Sequence, residues 1–350
     1  MTNRFTPVMS GLLAAVMIVG LTGAAVAQEV TLRVHHFLPP MSPAHQGFIQ
    51  PWAEAVMEQS QGRIEVEVYP AMQLGGSPVS LYDQARDGVV DVIWTLPGYT
   101  PGRFPISEVF EMPFMAASGE ATSRAAWRFY ERHLREEFGD VHVVMMHVHG
   151  PGLFHIRGAE VNSIDDLDGL TVRAPTRVIN QALGLLGAEP VGMPVPAVPE
   201  AISRGVIDGT VLPWEVTRAL RLAELVDSHS AFGGDRGLYT ASFVFAMNRD
   251  TYASLPEDLR AVIDANSGIE MAAMMGRAMD EADLPAYDVA VDAGNTIITL
   301  PDSERTRAEE LLQPIIDGWV AAMNDRGLDG EALLQEARDL IAEEVAALDM

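Results

Sequence analysis

A chain of 350 residues with a formal net charge of −26 and no cysteine excludes several partners and one means of support. Nucleic acid and anionic membrane surfaces are polyanions that such a charge repels over a Debye length of about 8 to 10 Å, and disulfides cannot brace the fold. A small acidic ligand stays open, because one guanidinium in a dry cleft outweighs a diffuse, screened surface charge.

The chain begins with a basic Arg4, an apolar run over 11–21 that is short for a bilayer span, and the A-x-A pattern Ala25-Val26-Ala27 before Gln28. This is the layout of a cleaved secretory signal peptide, 1–27. No cysteine follows the run, so no lipid anchor is expected, and no second apolar span or stop-transfer segment follows. Cleavage near Ala27 leaves a mature chain long enough for two α/β lobes with separate cores.

Alternation sorts the segments that follow. Residues 30–35 and 63–69 read as strands flanking a helix over 50–60, the strand-helix-strand opening of an α/β lobe. Residues 81–87 read as helix, Gly88 stands where a helix C-terminal glycine belongs, and 89–95 read as a buried strand. The same order of helix end, glycine, two apolar residues and aspartate returns at 201–204, Gly205 and Val206-Ile207-Asp208-Gly209. It marks two lobes of one design, unless it is only common punctuation where a helix enters a strand. Strands at 141–149 and 170–172 and a helix at 178–186, ending on Gly187, place the start of the second lobe near Gly150. In the tail, Leu312, Ile315, Ile316, Trp319, Val320 and Met323 recur at the spacing of one buried helix face, which assigns Trp319 to the core. The methionines of 271–279 have helical spacing too and read as packing rather than as a binding surface.

Chemistry concentrates at Leu170-Thr171-Val172-Arg173-Ala174-Pro175-Thr176. Pro175 keeps Ala174 extended, so the strand ends there with Arg173 at its carboxyl end, where open α/β sheets place ligands. The fork of Arg173 and the free N–H groups of the next helix, around 176–178, are expected to converge on one anion. The competing reading is a salt bridge to Asp165, Asp166 or Asp168. The histidines offer nominal zinc ligands, since His147 and His149 share a strand face with His155 near and His35-His36 ends the first strand. Without a His-Glu-x-x-His or thiolate set no metal site is expected, and His35 or His149 is the better candidate for a neutral hydrogen bond to a ligand.

The stretch from Asn162 to Pro175, NSIDDLDGLTVRAP, resembles the segment of tripartite ATP-independent periplasmic (TRAP) solute receptors in which a strand-ending Arg holds the substrate carboxylate. The segments 69–76, 85–91, 186–190 and 205–209 are similar to family landmarks in order and spacing, and the tail from Gly318-Trp319 to Gly327 agrees, so the resemblance spans nearly the whole mature chain. It implies a bilobed periplasmic-binding-protein fold, α/β in class, with two lobes joined by crossing strands and a long helix. Lobe I is expected over 28–150 plus about 238–280, and lobe II over 151–237 plus about 281–350. Arg173 inherits the carboxylate role, 94–98 lines the first lobe's side of the cleft and 212–215 the second's. The chain departs from the sugar-acid receptors: a second basic residue is replaced by Leu153 or Phe154, and positions near Leu96 and Leu212 are apolar.

These departures, with Trp94, Tyr99, Phe154 and Trp214 at strand ends, predict a flat apolar cleft for a monocarboxylate with an aromatic or alicyclic body. The expected ligand contacts are Arg173, Trp94, Trp214, Phe154, His35, Glu215 and Leu212, with no cofactor. Glu215 is expected to hydrogen-bond ligand or form a structural salt bridge; Trp214-Glu215 also resembles a place where some relatives use a cation. A 2-oxo acid or a dicarboxylate, cation-bridged, is the alternative cargo, and a receptor for an ATP-driven importer the alternative class. An enzyme is not expected: there is no Gly-x-Ser-x-Gly elbow, phosphate-binding glycine loop or cysteine nucleophile. The partners implied are a small carboxylate and TRAP membrane subunits, in the periplasm.

Overall fold

The structure, a computed structural model, describes residues 1–2 and 28–349; the signal-peptide reading falls on residues outside these. In chain order the elements are β1 (Val30–His36), α1 (Gln50–Gln59), β2 (Ile64–Tyr69), α2 (Leu81–Arg86), β3 (Val92–Thr95), α3 (Gly119–Phe129) and β4 (Val141–Val148). Then follow β5 (Leu153–Ile156), β6 (Thr171–Ala174), α4 (Arg177–Leu185), β7 (Glu189–Gly192), α5 (Val198–Ser203), β8 (Gly209–Leu212) and β9 (Ser228–Phe232). The chain finishes with β10 (Ser242–Asn248), α6 (Arg249–Ser254), α7 (Glu257–Ala265), α8 (Ile269–Asp292), β11 (Thr296–Leu300), α9 (Asp302–Asp325) and α10 (Gly330–Leu348).

Two sheets carry the two lobes. The first runs β2-β1-β3-β10-β4 and the second β11-β9-β5-β8-β6-β7. In each, the strands that alternate with helices pair in parallel, as right-handed crossovers require, and a strand arriving from the other lobe enters antiparallel: β10 beside β3 and β4, β5 beside β8 and β9. The chain crosses between lobes at 149–152 and again at 233–241. These two crossings touch through an antiparallel bridge between Gly152 and Tyr239, with the Gly152 N–H donating to the Tyr239 carbonyl at 2.9 Å.

The repeated helix-glycine-strand pattern is a repeat of structure. Gly88 and Gly205 close α2 and α5 with φ of 71° and 69°, a conformation open to glycine without strain. Val89 N–H then bonds back to the Gln84 carbonyl and Val206 N–H to the Ala201 carbonyl, both at 2.9 Å. Asp91 accepts from the Arg33 N–H of β1 at 2.9 Å, as Asp208 does from the Thr171 N–H of β6 at 2.8 Å. Each aspartate pins its module to the neighbouring strand of its own sheet.

Helix α8 spans both lobes. Its N-terminal half lies on α3, where Asp280 accepts from the N–H groups of Gly119 and Glu120; farther along, Asp283 accepts from the Glu215 N–H and Tyr287 packs edge-on to Trp214. Met275 and Met279 are buried in this helix, and Leu312, Ile315, Trp319 and Met323 form the inner face of α9. The lobe division differs from the sequence reading at its end. Rather than staying with lobe II, α10 returns to lobe I and lies along α3, where Arg124 and Arg128 both bond to the buried Glu344, at 2.8 and 2.7 Å. Helical periodicity assigns α10 an inner face; what that face meets depends on long-range packing of Leu333, Leu334, Ala337, Leu340 and Ile341, which periodicity does not reveal.

Candidate functional site

Strand β6 continues through Arg173 to Ala174 before Pro175 ends it, so Arg173 is held by strand pairing on both sides, opposite Val191 of β7 and Thr210 of β8. Its side chain turns inward and is 1 % exposed. The guanidinium Nε donates to the Met193 carbonyl at 2.9 Å and Nη1 to the Val211 carbonyl at 3.3 Å. Both acceptors are neutral, and among the described residues no carboxylate pairs with it. Burial pulls its pKa below the ordinary value, while the hydroxyls of Tyr99 and Tyr239 work the other way. The salt-bridge reading is overturned: Asp165 pairs with Arg307 on α9, and Asp166 closes the turn at Ser163. A buried cation without an opposite charge is costly, and its remaining N–H groups are available to an anion.

Around Arg173 the two lobes form a narrow slot of about 30 Å³. Lobe I and the crossings supply Phe37, Leu38, Trp94, Leu96, Tyr99, His149, Tyr239, Ala241 and Phe243; lobe II supplies Pro175, Val195, Leu212, Pro213, Glu215 and Val216 beside Arg173. One wall is a column of parallel rings. Phe37 stacks on Trp94 at 4.9 Å and 13°, and Trp94 on Phe243 at 4.8 Å and 5°. Trp94 is fixed by its Nε1–H donating to His147 Nε2 at 2.8 Å, a nitrogen free to accept because burial depresses the His147 pKa to about 3. His149 is likewise held neutral, burial taking its pKa to about 4 with the charge of Arg173 adding to the effect. Its Nδ1–H donates to the Gly150 carbonyl and its Nε2 accepts from the Ala241 N–H at 3.1 Å. Tyr99 bridges the lobes, its hydroxyl accepting from the Val195 N–H at 3.1 Å and keeping its own proton to donate. A larger groove lies between Arg177 and Trp319, where the cation of Arg177 is already paired with Glu108.

Of the residues singled out from the sequence, Arg173, Trp94, Leu212 and Glu215 come together in the slot, and Tyr99 and His149 with them. Phe154, Trp214 and His35 do not line it. Phe154 is fully buried inside the lobe II sheet, edge-on to Phe232 at 6.2 Å. Trp214 turns away to pack between His155, His229 and Tyr287. His35 lies within lobe I, bonded to Gln84 Oε1 at 2.7 Å and accepting from the Leu74 N–H. Nor does the start of α4 reach the slot. Thr176 donates its hydroxyl to Glu111 of lobe I at 2.7 Å while capping Ile179 N–H, and Arg177 pairs with Glu108. These contacts latch the lobes beside the slot. Phe37, Leu38, Tyr239, Ala241, Phe243 and Val195 escaped sequence reasoning; the alternation of 239, 241 and 243 was the available signal, because every second residue of an extended segment faces one way.

Burial and neighbouring acids shape the remaining polar groups. Glu111 is raised to about 8, first by burial, although Thr176 bonds to it. Glu215, 3 % exposed, is raised well above its ordinary value by burial and then by Asp283 and Asp280. Among the described residues no three or more His, Cys, Asp or Glu side chains are placed to hold a metal ion, and no helix is long and apolar enough to cross a membrane.

Two α/β lobes joined by crossing strands and a spanning helix, closing on a buried cation and apolar rings, define a solute receptor. The family described as "Bacterial extracellular solute-binding protein, family 7" matches residues 34–322, and the chain belongs to it: it is a solute-binding protein of a TRAP transporter. It is similar to a TRAP solute-binding protein from Rhodoferax ferrireducens T118 solved with copurified benzoate, at 47 % identity over 91 % of this chain and 99 % of that one, with a TM-score of 0.89. A marine-metagenome TRAP solute-binding protein specific for aromatic acid ligands, solved with 3-hydroxybenzoate, is 45 % identical over 91 % and 99 % of the chains, with a TM-score of 0.88. By sequence, the protein called outer membrane transporter protein TsaT of Comamonas testosteroni is 26 % identical, covering 95 % of this chain and 97 % of its own length. Members of this family are receptors that serve membrane subunits; it is not a family of enzymes.

Proposed function

We propose that the protein captures an aromatic monocarboxylate in the periplasm through Arg173 and presents it, with its lobes closed, to the membrane subunits of its transporter. The observation that carries the reading is a fully buried guanidinium with unspent N–H groups and no carboxylate partner among the described residues, lining a slot with one wall of parallel rings. A carboxylate supplies the missing charge through two parallel N–H···O bonds, and Tyr99 adds a hydroxyl donor. The ring body slides between Trp94 and its neighbours on one side and Leu212 and Val216 on the other, removing apolar surface from water. Only the closed state makes both sets of contacts, so ligand shifts the population toward it. Arg173 is the one cationic side chain among the lining residues, which disfavours a dicarboxylate, and the Thr176, Arg177 and Tyr99 contacts between lobes favour closure. The relatives solved with benzoate and 3-hydroxybenzoate support the same cargo class. Secretion is proposed to remove the segment before Gln28, which N-terminal mass analysis of periplasmic protein checks.

Calorimetric titration of the chain from Gln28 against benzoate, cyclohexanecarboxylate, succinate and glucuronate, repeated with Arg173→Ala, tests the proposal. Benzoate is expected to bind most tightly, with binding lost in the variant. Tight succinate or glucuronate binding, or benzoate binding indifferent to the substitution, overturns it.

A further inference from the structure

Two side chains of the slot leave a buried polar atom without a partner among the described residues: Oε2 of Glu215 and the hydroxyl of Tyr239. Tyr239 stands between Arg173 and Glu215: burial raises its pKa first, and the charges of Arg173 and of Glu215 both bear on it. Arg173 and Glu215 do not register one another; Glu215 responds to Asp283 and Asp280 of α8. Its backbone is pinned there by the Glu215 N–H donating to Asp283 Oδ1 at 2.9 Å, behind Pro213 and the last residue of β8. The slot thus carries a cation and, apart from it, a buried carboxyl oxygen with no donor or acceptor among the described residues.

We infer that Glu215 is a specificity-determining residue that holds a hydroxyl group on the ring of the bound acid, so that the preferred cargo is a phenolic monocarboxylate rather than an unsubstituted aromatic acid. This rests on the proposed binding of the carboxylate at Arg173 and deepens it. Burial, and then the charges of Asp283 and Asp280, push the Glu215 carboxyl toward its neutral form, which has one O–H to donate and a carbonyl oxygen to accept. A phenol has the matching pair, so one ring hydroxyl satisfies it. A bare ring edge, a methyl or a chloro substituent leaves Oε2 desolvated and unpaired. A second carboxylate in that place meets Glu215, Asp283 and Asp280 with no cation to balance it. Discrimination by such a site comes chiefly from the buried polar group left unpaired by the wrong ligand.

The test compares affinities of the protein from Gln28 for benzoate, 3-methylbenzoate, 3-hydroxybenzoate and 4-hydroxybenzoate, then repeats the set with Glu215→Gln and Glu215→Leu. At least one hydroxybenzoate is expected to bind about tenfold or more tighter than benzoate and 3-methylbenzoate. The preference should persist in Glu215→Gln, which keeps a donor and an acceptor. In Glu215→Leu the ratio of hydroxybenzoate to benzoate affinity should fall to about one, a ligand-dependent change that a purely structural role, which weakens all ligands alike, does not produce. Benzoate bound through Arg173 with no hydroxyl preference in the unsubstituted protein overturns this inference alone. A preference surviving in Glu215→Leu overturns it too. If no aromatic acid binds, the functional proposal falls and this inference with it. Should Glu215→Leu fail to fold, the ligand ranking of the unsubstituted protein and of Glu215→Gln still decides.

Discussion

Replacing Arg173 by Lys keeps a cation and removes the fork, and the structure sets the size of the loss. Three guanidinium nitrogens divide the work: Nε serves Met193 O at 2.9 Å, Nη1 serves Val211 O at 3.3 Å, and the remaining N–H groups are left for the ligand. A lysine has one nitrogen for all three tasks. If it turns to the carboxylate, a buried carbonyl loses its donor, at about 1 to 3 kcal/mol, and one of two charge-assisted bonds to the ligand, worth about 1.5 to 3 kcal/mol, is gone. The expected loss is therefore about 2.5 to 6 kcal/mol, on the order of fiftyfold to ten-thousandfold in Kd. Titration calorimetry of both proteins with benzoate measures it, and the melting temperature of each without ligand separates a binding effect from a folding one. A Kd within about fivefold of the original, with melting unchanged, would refute the assignment of Arg173 as the carboxylate's partner.

Other perturbations probe the surroundings. Glu111, Glu137 and Asp283 are raised by burial to about 8, 7 and 7, so folded protein holds protons that unfolded chain has released, and stability falls as pH rises through this range. The depressed His147 and His149 act in the opposite sense, but only below their ordinary 6.5; between pH 6.5 and 8 the melting temperature should therefore drop, and drop less in Glu111→Gln, whereas a flat or rising profile contradicts the burial argument. Gly152→Ala places a Cβ 2.1 Å from Tyr239 Cε1, and overpacking of about 1 to 3 kcal/mol should lower both melting temperature and benzoate affinity; no change in either disproves the tight crossing. Thr176→Val removes the hydroxyl bonded to Glu111 across the lobes. Small-angle scattering should then give a larger radius of gyration without ligand, and an unchanged radius would mean that this bond does not hold the lobes together.

How far the sequence could be read depended on the range over which each feature is determined. Strand and helix positions follow from local alternation and turn chemistry, so β1, α1, β2 and the two helix-glycine-strand modules fall within a few residues of their places, and Pro175 marks the end of β6 beside Arg173. Phe154 shows where local reasoning stops. A strand position says which end of a sheet a residue occupies, but which face meets the other lobe depends on how two sheets are set together, and β5 turns Phe154 into its own sheet's core. Trp214 and Glu215 are neighbours with opposite destinations for the same reason. Tyr239 and Phe243 reach the slot only because the second crossing returns beside the first, a pairing of residues far apart in sequence. Glu111, the buried acid of the latch, carries no local sign at all.

The bridge between Gly152 and Tyr239 gives the receptor a mechanical property. The segments that join the lobes are also the place where any closing rotation must turn, and the ring of Tyr239 stands there with one side against Gly152 and the other forming part of the slot. A ligand that presses on this ring presses on the pivot. The ring that bounds the slot is thus also the ring that bounds the crossing, and the two cannot be reshaped independently.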